Sequence, residues 1–151
     1  MSLAPDRFAF IKANWHADIV SQALSGFCEV IPADNVDVFE VPGAFELPLV
    51  AKELALSGLY RGIAAAALVV DGGIYRHEFV AQAVVGGLMH VGLETGVPVF
   101  SISLTPHHYQ NSDYHRSIFS AHFVEKGREA AQAAIQFLAT KSMLPKKMCR
   151  E

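Results

Sequence analysis

Ile63 to Val70 runs without a polar side chain and stops at Asp71-Gly72-Gly73. This segment constrains the fold more than any other. A strand wetted on one face alternates apolar and polar residues, whereas a uniformly apolar one has both faces covered, as in a parallel sheet between helices. The run is also far too short to cross a bilayer.

The rest of the chain alternates around that strand. Phe8 to Ala13 reads as a first strand. From Asp18 the residues Ile19, Val20, Ala23, Leu24, Phe27 and Ile31 recur at helical spacing, and Pro32 stops them. Val36 to Val41 reads as a second strand, Pro42-Gly43 as a turn, and Phe45 to Leu56 as a helix with Leu47, Val50, Ala51 and Leu54 inward. Ser57-Gly58 closes that helix. Beyond the central strand, Phe79, Val80, Ala83, Val84, Leu88 and Val91 predict a third helix ending near Gly96. Val97 to Leu104 predicts a fourth strand. A polar, His-rich loop is expected from Thr105 to His122. A last helix is expected from Lys126 to Lys141, with Ala130, Ala133, Ala134, Phe137 and Leu138 on one face.

Strand–helix alternation of this kind predicts an α/β fold, a parallel sheet with helices on its faces joined by right-handed crossovers. The length of 151 residues fits one domain over 1–151. Ligands in such sheets sit beyond the C-terminal ends of the strands. Four segments leave those ends: Asn14-Trp15-His16, Pro42 to Glu46, Asp71 to Glu78, and Thr105 to His122.

Composition narrows the partners. Hydrophobic residues make up 52% and charged residues 18%, an apolar surplus that subunit interfaces would absorb and an Ala-rich monomer would also show. The net charge of −3, with Lys146-Lys147 as the one basic cluster, argues against nucleic acid. Asp6 and Arg7 interrupt any signal-peptide pattern. Cys28 lies on an apolar helical stripe and reads as core, and Cys149 lies in a polar tail, so no disulfide framework is expected and a reducing cytoplasm is the simplest compartment.

Each exit segment admits a chemical and a plain reading. Trp15, the single tryptophan, can stack on a planar ligand or pack over the core edge. Ala44, Phe45 and Glu46 open a helix, where backbone N–H groups can bind oxygens; Glu46 either accepts from sugar hydroxyls or simply complements the dipole. In Asp71 to Glu78, the glycines allow close backbone approach and the following helix offers an anion site. Arg76 can fork onto phosphate and His77 can move a proton near neutrality. A Gly-Gly turn is also commonly structural. His107, His108, His115 and His122, with Arg116 among them, read as a cationic loop or as solvated surface. Their spacing, with no cysteine and no i, i+4 pair, disfavours metal.

Together these segments resemble lumazine synthase over nearly the whole chain. Val41-Pro42-Gly43-Ala44-Phe45-Glu46-Leu47-Pro48 carries the resemblance most specifically. The aromatic after strand one, the Gly-Gly turn with its basic pair, and Lys126-Gly127 opening the last helix support it. The Asp71-to-His77 turn and the Thr105-Pro106-His107-His108 segment resemble a divergent second type found in some bacteria.

The resemblance implies a flavodoxin-like three-layer sandwich with a four-stranded parallel sheet in order 2-1-3-4. It implies condensation of 5-amino-6-(D-ribitylamino)uracil with 3,4-dihydroxy-2-butanone 4-phosphate to 6,7-dimethyl-8-ribityllumazine. It implies small-molecule substrates, no metal or organic cofactor, and a homo-oligomer: a pentamer with each site between neighbouring subunits, and in the divergent type a decamer of two pentamers. It assigns pyrimidine stacking to Trp15, ribityl contacts to Ala44, Phe45 and Glu46, and the pyrimidine-site wall to Val69, Val70 and Asp71. The phosphate-side loop falls at Gly73 and Ile74, and Ser101 joins the substrate contacts.

The proton-transfer histidine departs from the family motif Gly-Ala-Thr-Thr-His. Counted from Gly73 it falls on His77, and counted back from Glu78-Phe79-Val80 it falls on Arg76. His77 is preferred, since arginine keeps its proton. The phosphate-clamping arginine has no clean match; His115 or Arg116 substitutes, with His122 or Lys126 assisting. Two rivals share the scaffold: a flavin or lumazine carrier without turnover, and a signalling module that binds no ribityl compound.

Overall fold

The computed structural model describes residues 6–70, 77–105 and 112–146. Strands β1 (Phe8–Ala13), β2 (Val36–Val41), β3 (Gly62–Leu68) and β4 (Val99–Leu104) alternate with helices α1 (Ala17–Val30), α2 (Leu47–Leu56), α3 (His77–Thr95) and α4 (Asp113–Met143). The sheet is all parallel in the order β2-β1-β3-β4. This is the expected α/β architecture and strand order.

The two faces of the sheet divide the core by strand alternation. Ala9, Ile11 and Ala13 of β1 face Leu47 and Ala51 of α2 and Val84 and Leu88 of α3. Phe8 and Phe10 face Ile19, Ala23 and Phe27 of α1 and Phe123 and Ala134 of α4. Every residue of β3 is buried, which is why its sequence shows no polar position. Full burial of a side chain such as Phe10 contributes roughly 1.5–3 kcal/mol.

Helices α1 and α4 meet backbone to backbone. A Cβ on Gly26 would overlap the Val124 carbonyl, and one on Gly127 would overlap the Ala23 carbonyl. A side chain at either position would therefore force the two helices apart.

Three expectations need correction. The stretch from Asp113 to His122 is not loop but the start of α4. The Ser112 hydroxyl caps it by accepting from the His115 N–H at 3.2 Å, and Asp113 sits in the first turn. Hence His115, Arg116 and His122 are helical, and Lys126-Gly127 lies inside the helix rather than opening it. Phe79 and Ala83 of the periodic stripe on α3 are exposed, as is Ala133 on α4, while Phe137 is partly exposed with its ring edge-on to Phe100. α3 is apolar almost all round, so periodicity does not pick its inner face. Cys28 is only partly buried, against the α1/α4 core.

Candidate functional site

The sheet brings the strand exits together by its register. Ala13 pairs with Val41, and the next residue ties the exits, the Asn14 N–H donating to the Val41 carbonyl at 2.9 Å. Across the sheet, the Val69 N–H donates to the Leu104 carbonyl at 2.8 Å. Trp15, the Gly43–Glu46 turn and Val69-Val70 therefore stand along one edge.

The Gly43–Glu46 turn is locked internally. One Glu46 carboxylate oxygen accepts from the Gly43 N–H at 3.0 Å, three residues back. Glu46 thus closes a capping box at the helix start, while its side chain stays exposed. Ala44 is fully buried and Phe45 is half exposed. The short 3₁₀ turn Ala44–Glu46 packs against α3 and β3. Trp15 is 45% exposed and lies against Gly43, so its ring faces both the turn and solvent.

His77 opens α3 and is 6% exposed. Its Nε2 lies 3.8 Å from a Glu78 carboxylate oxygen. Val69 is buried at the end of β3, and Val70 is partly buried. Asp71, Gly73, Ile74 and Arg76, with His107 and His108, lie outside the described residues.

Arg116 reaches the site from α4. Its guanidinium pairs with the Asp18 carboxylate in the first turn of α1, one turn from Trp15. His16 stands between them in sequence and fold. It is the one described non-glycine residue with positive φ (54°), and its carbonyl accepts from the N–H groups of Ile19 and Val20. Burial pushes its imidazole pKa down, and nearby Arg116 pushes the same way. At neutral pH His16 is therefore an uncharged imidazole beside a guanidinium. Neither His16 nor Asp18 was expected among the site residues. The αL position is invisible to pattern reading, because the residue is not glycine.

The remaining candidates do not converge with Trp15 within one chain. Lys126 lies ten residues beyond Arg116, about 15 Å along the helix, and its ammonium pairs with Glu129 at 3.0 Å. His122 lies on the same stretch, in an open groove with Ile118, Phe119 and Glu125. Ser101 pairs with Ala65, which pairs with Ile11. It therefore sits two strands over and about 13 Å short of Trp15. Among the described residues no three His, Cys, Asp or Glu side chains gather as a metal would require, and no helix is long and apolar enough to cross a membrane.

Similarity to known proteins decides the family. A family model described as 6,7-dimethyl-8-ribityllumazine synthase matches residues 6–142. The chain belongs to that family. It is 56% identical over 144 residues to the 6,7-dimethyl-8-ribityllumazine synthase of Rhodococcus erythropolis, covering 92% of this chain and 93% of the relative. It is 55% identical over 138 residues to 6,7-dimethyl-8-ribityllumazine synthase 2 of Pseudomonas syringae pv. tomato, covering 88% and 81%. A more distant synthase, from Xylella fastidiosa, is 34% identical over 92% of both chains. In this lumazine synthase fold, the exits of β1 and β2 are tied at Asn14 and Val41, and the turn that follows β2 packs against α3.

Proposed function

We propose that the chain is a working lumazine synthase. It condenses 5-amino-6-(D-ribitylamino)uracil with 3,4-dihydroxy-2-butanone 4-phosphate to 6,7-dimethyl-8-ribityllumazine, with loss of water and phosphate. The observation that carries the site assignment is the Trp15 ring against the Gly43–Glu46 turn, a flat surface next to a carboxylate. The ring stacks on the pyrimidine, and the turn holds the ribityl chain through Ala44, Phe45 and Glu46. The family resemblance assigns the pyrimidine site to Val69, Val70 and Asp71 and the phosphate side to Gly73 and Ile74.

The amine attacks a ketone, which needs a proton shuttle near neutral pH. His77 serves, and Arg76 steadies the phosphate. Helix start and guanidinium stabilise the charge on the departing phosphate. Arg116 contributes a second cation from the α1–α4 junction, with His115 beside it.

The enzyme works as a homo-oligomer in the cytoplasm. α3 carries Val85, Met89 and Leu93 four residues apart and exposed, with Phe79 exposed at its start. α2 adds exposed Leu49 and Leu56. Apolar side chains in rows of this kind mark an interface. A pentamer, paired face to face into a decamer, would cover them. A neighbouring copy would then supply Ser101, His122 and Lys126, which lie away from Trp15 in their own chain.

The test is absorbance at the lumazine band after mixing protein with both substrates, for wild type and His77→Ala. Turnover in wild type and a large loss in the variant support the assignment. Tight ribityllumazine binding without any turnover overturns it in favour of a carrier.

A further inference from the structure

Gly43 has an ordinary extended backbone, φ −153° and ψ −173°, which any residue adopts. Conformational freedom therefore does not explain a glycine there. Its surroundings do. A Cβ at this position would lie 2.5 Å from both Cε2 and Cζ2 of the Trp15 indole and 3.0 Å from Cη2. The three nearest atoms all belong to the six-membered half of that ring, and none is backbone. The indole occupies the space that a side chain at position 43 would need.

The same residue holds the turn. Its N–H donates to Glu46 at 3.0 Å, and its own surface is buried. Trp15, Gly43 and Glu46 thus form a chain of contacts, ring to backbone to carboxylate. The ring can yield, because it is the far end of a side chain that is 45% exposed. The Glu46 tether can persist, because it uses backbone N–H alone.

We propose that Gly43 is a positioning residue whose missing side chain seats the Trp15 ring at a set distance from the Glu46 carboxylate. It acts through Trp15 and touches no reacting atom. Trp15 and Glu46 are the groups that the proposed function sets against the flat ring and the ribityl chain, so Gly43 tunes recognition of the ribitylamino-pyrimidine rather than of the sugar phosphate. This rests on the reading of Trp15 as the stacking ring.

Trp15 is the single tryptophan, so its fluorescence reports the seat directly. Wild type, Gly43→Ala, Trp15→Phe and the double variant are compared by intrinsic fluorescence, by kinetics with each substrate varied, and by thermal unfolding. Gly43→Ala is expected to fold, to shift the Trp15 emission, and to weaken its quenching by 6,7-dimethyl-8-ribityllumazine. Its KM for the pyrimidine rises about fivefold or more, the coupling expected of residues in contact, with the KM for the sugar phosphate unchanged. A phenylalanine ring does not reach the positions of Cζ2 and Cη2, two of the three crowding atoms. In the Trp15→Phe background the same substitution therefore changes KM less than about twofold. An unchanged pyrimidine KM in Gly43→Ala, or an equal rise in the Trp15→Phe background, overturns the proposal while leaving the enzyme reading intact. If Gly43→Ala does not fold, Trp15→Ala/Gly43→Ala recovers the fold under this proposal, and failure to recover overturns it. Wild type with neither turnover nor quenching overturns the reading on which the proposal rests.

Discussion

A methyl group on Gly127 would overlap the carbonyl oxygen of Ala23. Gly127 lies in the middle of α4, and Ala23 in the middle of α1. The obstacle is backbone, which cannot swing aside, so Gly127→Ala must push two helices apart. Overpacking of this kind typically costs 1–3 kcal/mol, and about 3 kcal/mol is expected here. Chemical denaturation should show a lower midpoint, with Gly26→Ala behaving alike. Wild-type stability in either variant would mean that the helices slide at no cost.

Asp18 holds Arg116 in a pair whose side chains are 54% and 39% exposed. Such a pair contributes less than about 1 kcal/mol to stability. Its effect on the reaction should be larger. Arg116→Ala is expected to raise the KM for the sugar phosphate about tenfold, the loss of one charge-assisted contact. Asp18→Asn removes a competitor for the guanidinium and should lower that KM instead. No change in Arg116→Ala would transfer the role to His115 or to a neighbouring subunit.

His16 makes a pH signature. Its folded pKa is depressed, by burial first and by Arg116 second, so the folded state binds fewer protons than the unfolded one. Its contribution is fully present above the unfolded value of 6.5 and is lost as pH falls below it toward the folded pKa. His16→Asn should flatten the fall in stability below that pH. Asparagine tolerates the left-handed backbone as well as histidine does, so stability at pH 8 should hold. Thermal midpoints across pH 5–8 test both statements, and an unaltered acid slope would refute the first.

His77→Gln preserves much of the buried volume and removes the titratable group. kcat is expected to fall about 10²- to 10⁴-fold, the usual worth of a positioned acid–base group. The KM values should move little. Near-normal kcat would shift proton transfer to another group, with His16 the first to examine.

Leu93 is 79% exposed and Met89 63%, both on the outward row of α3. Leu93→Glu places a charge in the proposed contact and should dissociate the oligomer, because an unpaired charge cannot be buried cheaply. Sedimentation would show smaller species, with a parallel loss of activity if neighbouring chains complete the site. A monomeric wild type would dismiss the assembly.

The sequence by itself determined the layers, the strand order by way of its family resemblance, and most element bounds. β1 and β2 run Phe8–Ala13 and Val36–Val41, as their patterns predict. β3 was legible because burial on both faces leaves a uniform apolar run, and the exits of β1 and β2 were legible because Trp15 and Pro42-Gly43 are chemically distinctive. Tertiary structure alone decided the rest. The first part of α4 looks like loop because it is rich in His and Ser, and it is helical because Ser112 caps it and Asp18 of α1 pairs with Arg116. The inward face of α3 is undecided by a helix apolar almost all round. Gly43 and Gly127 are interchangeable letters in a sequence. Only the approach of Trp15 to one and of Ala23 to the other shows what each lacks a side chain for. Local pattern encodes which residues avoid water, whereas contacts between distant segments depend on where the chain returns.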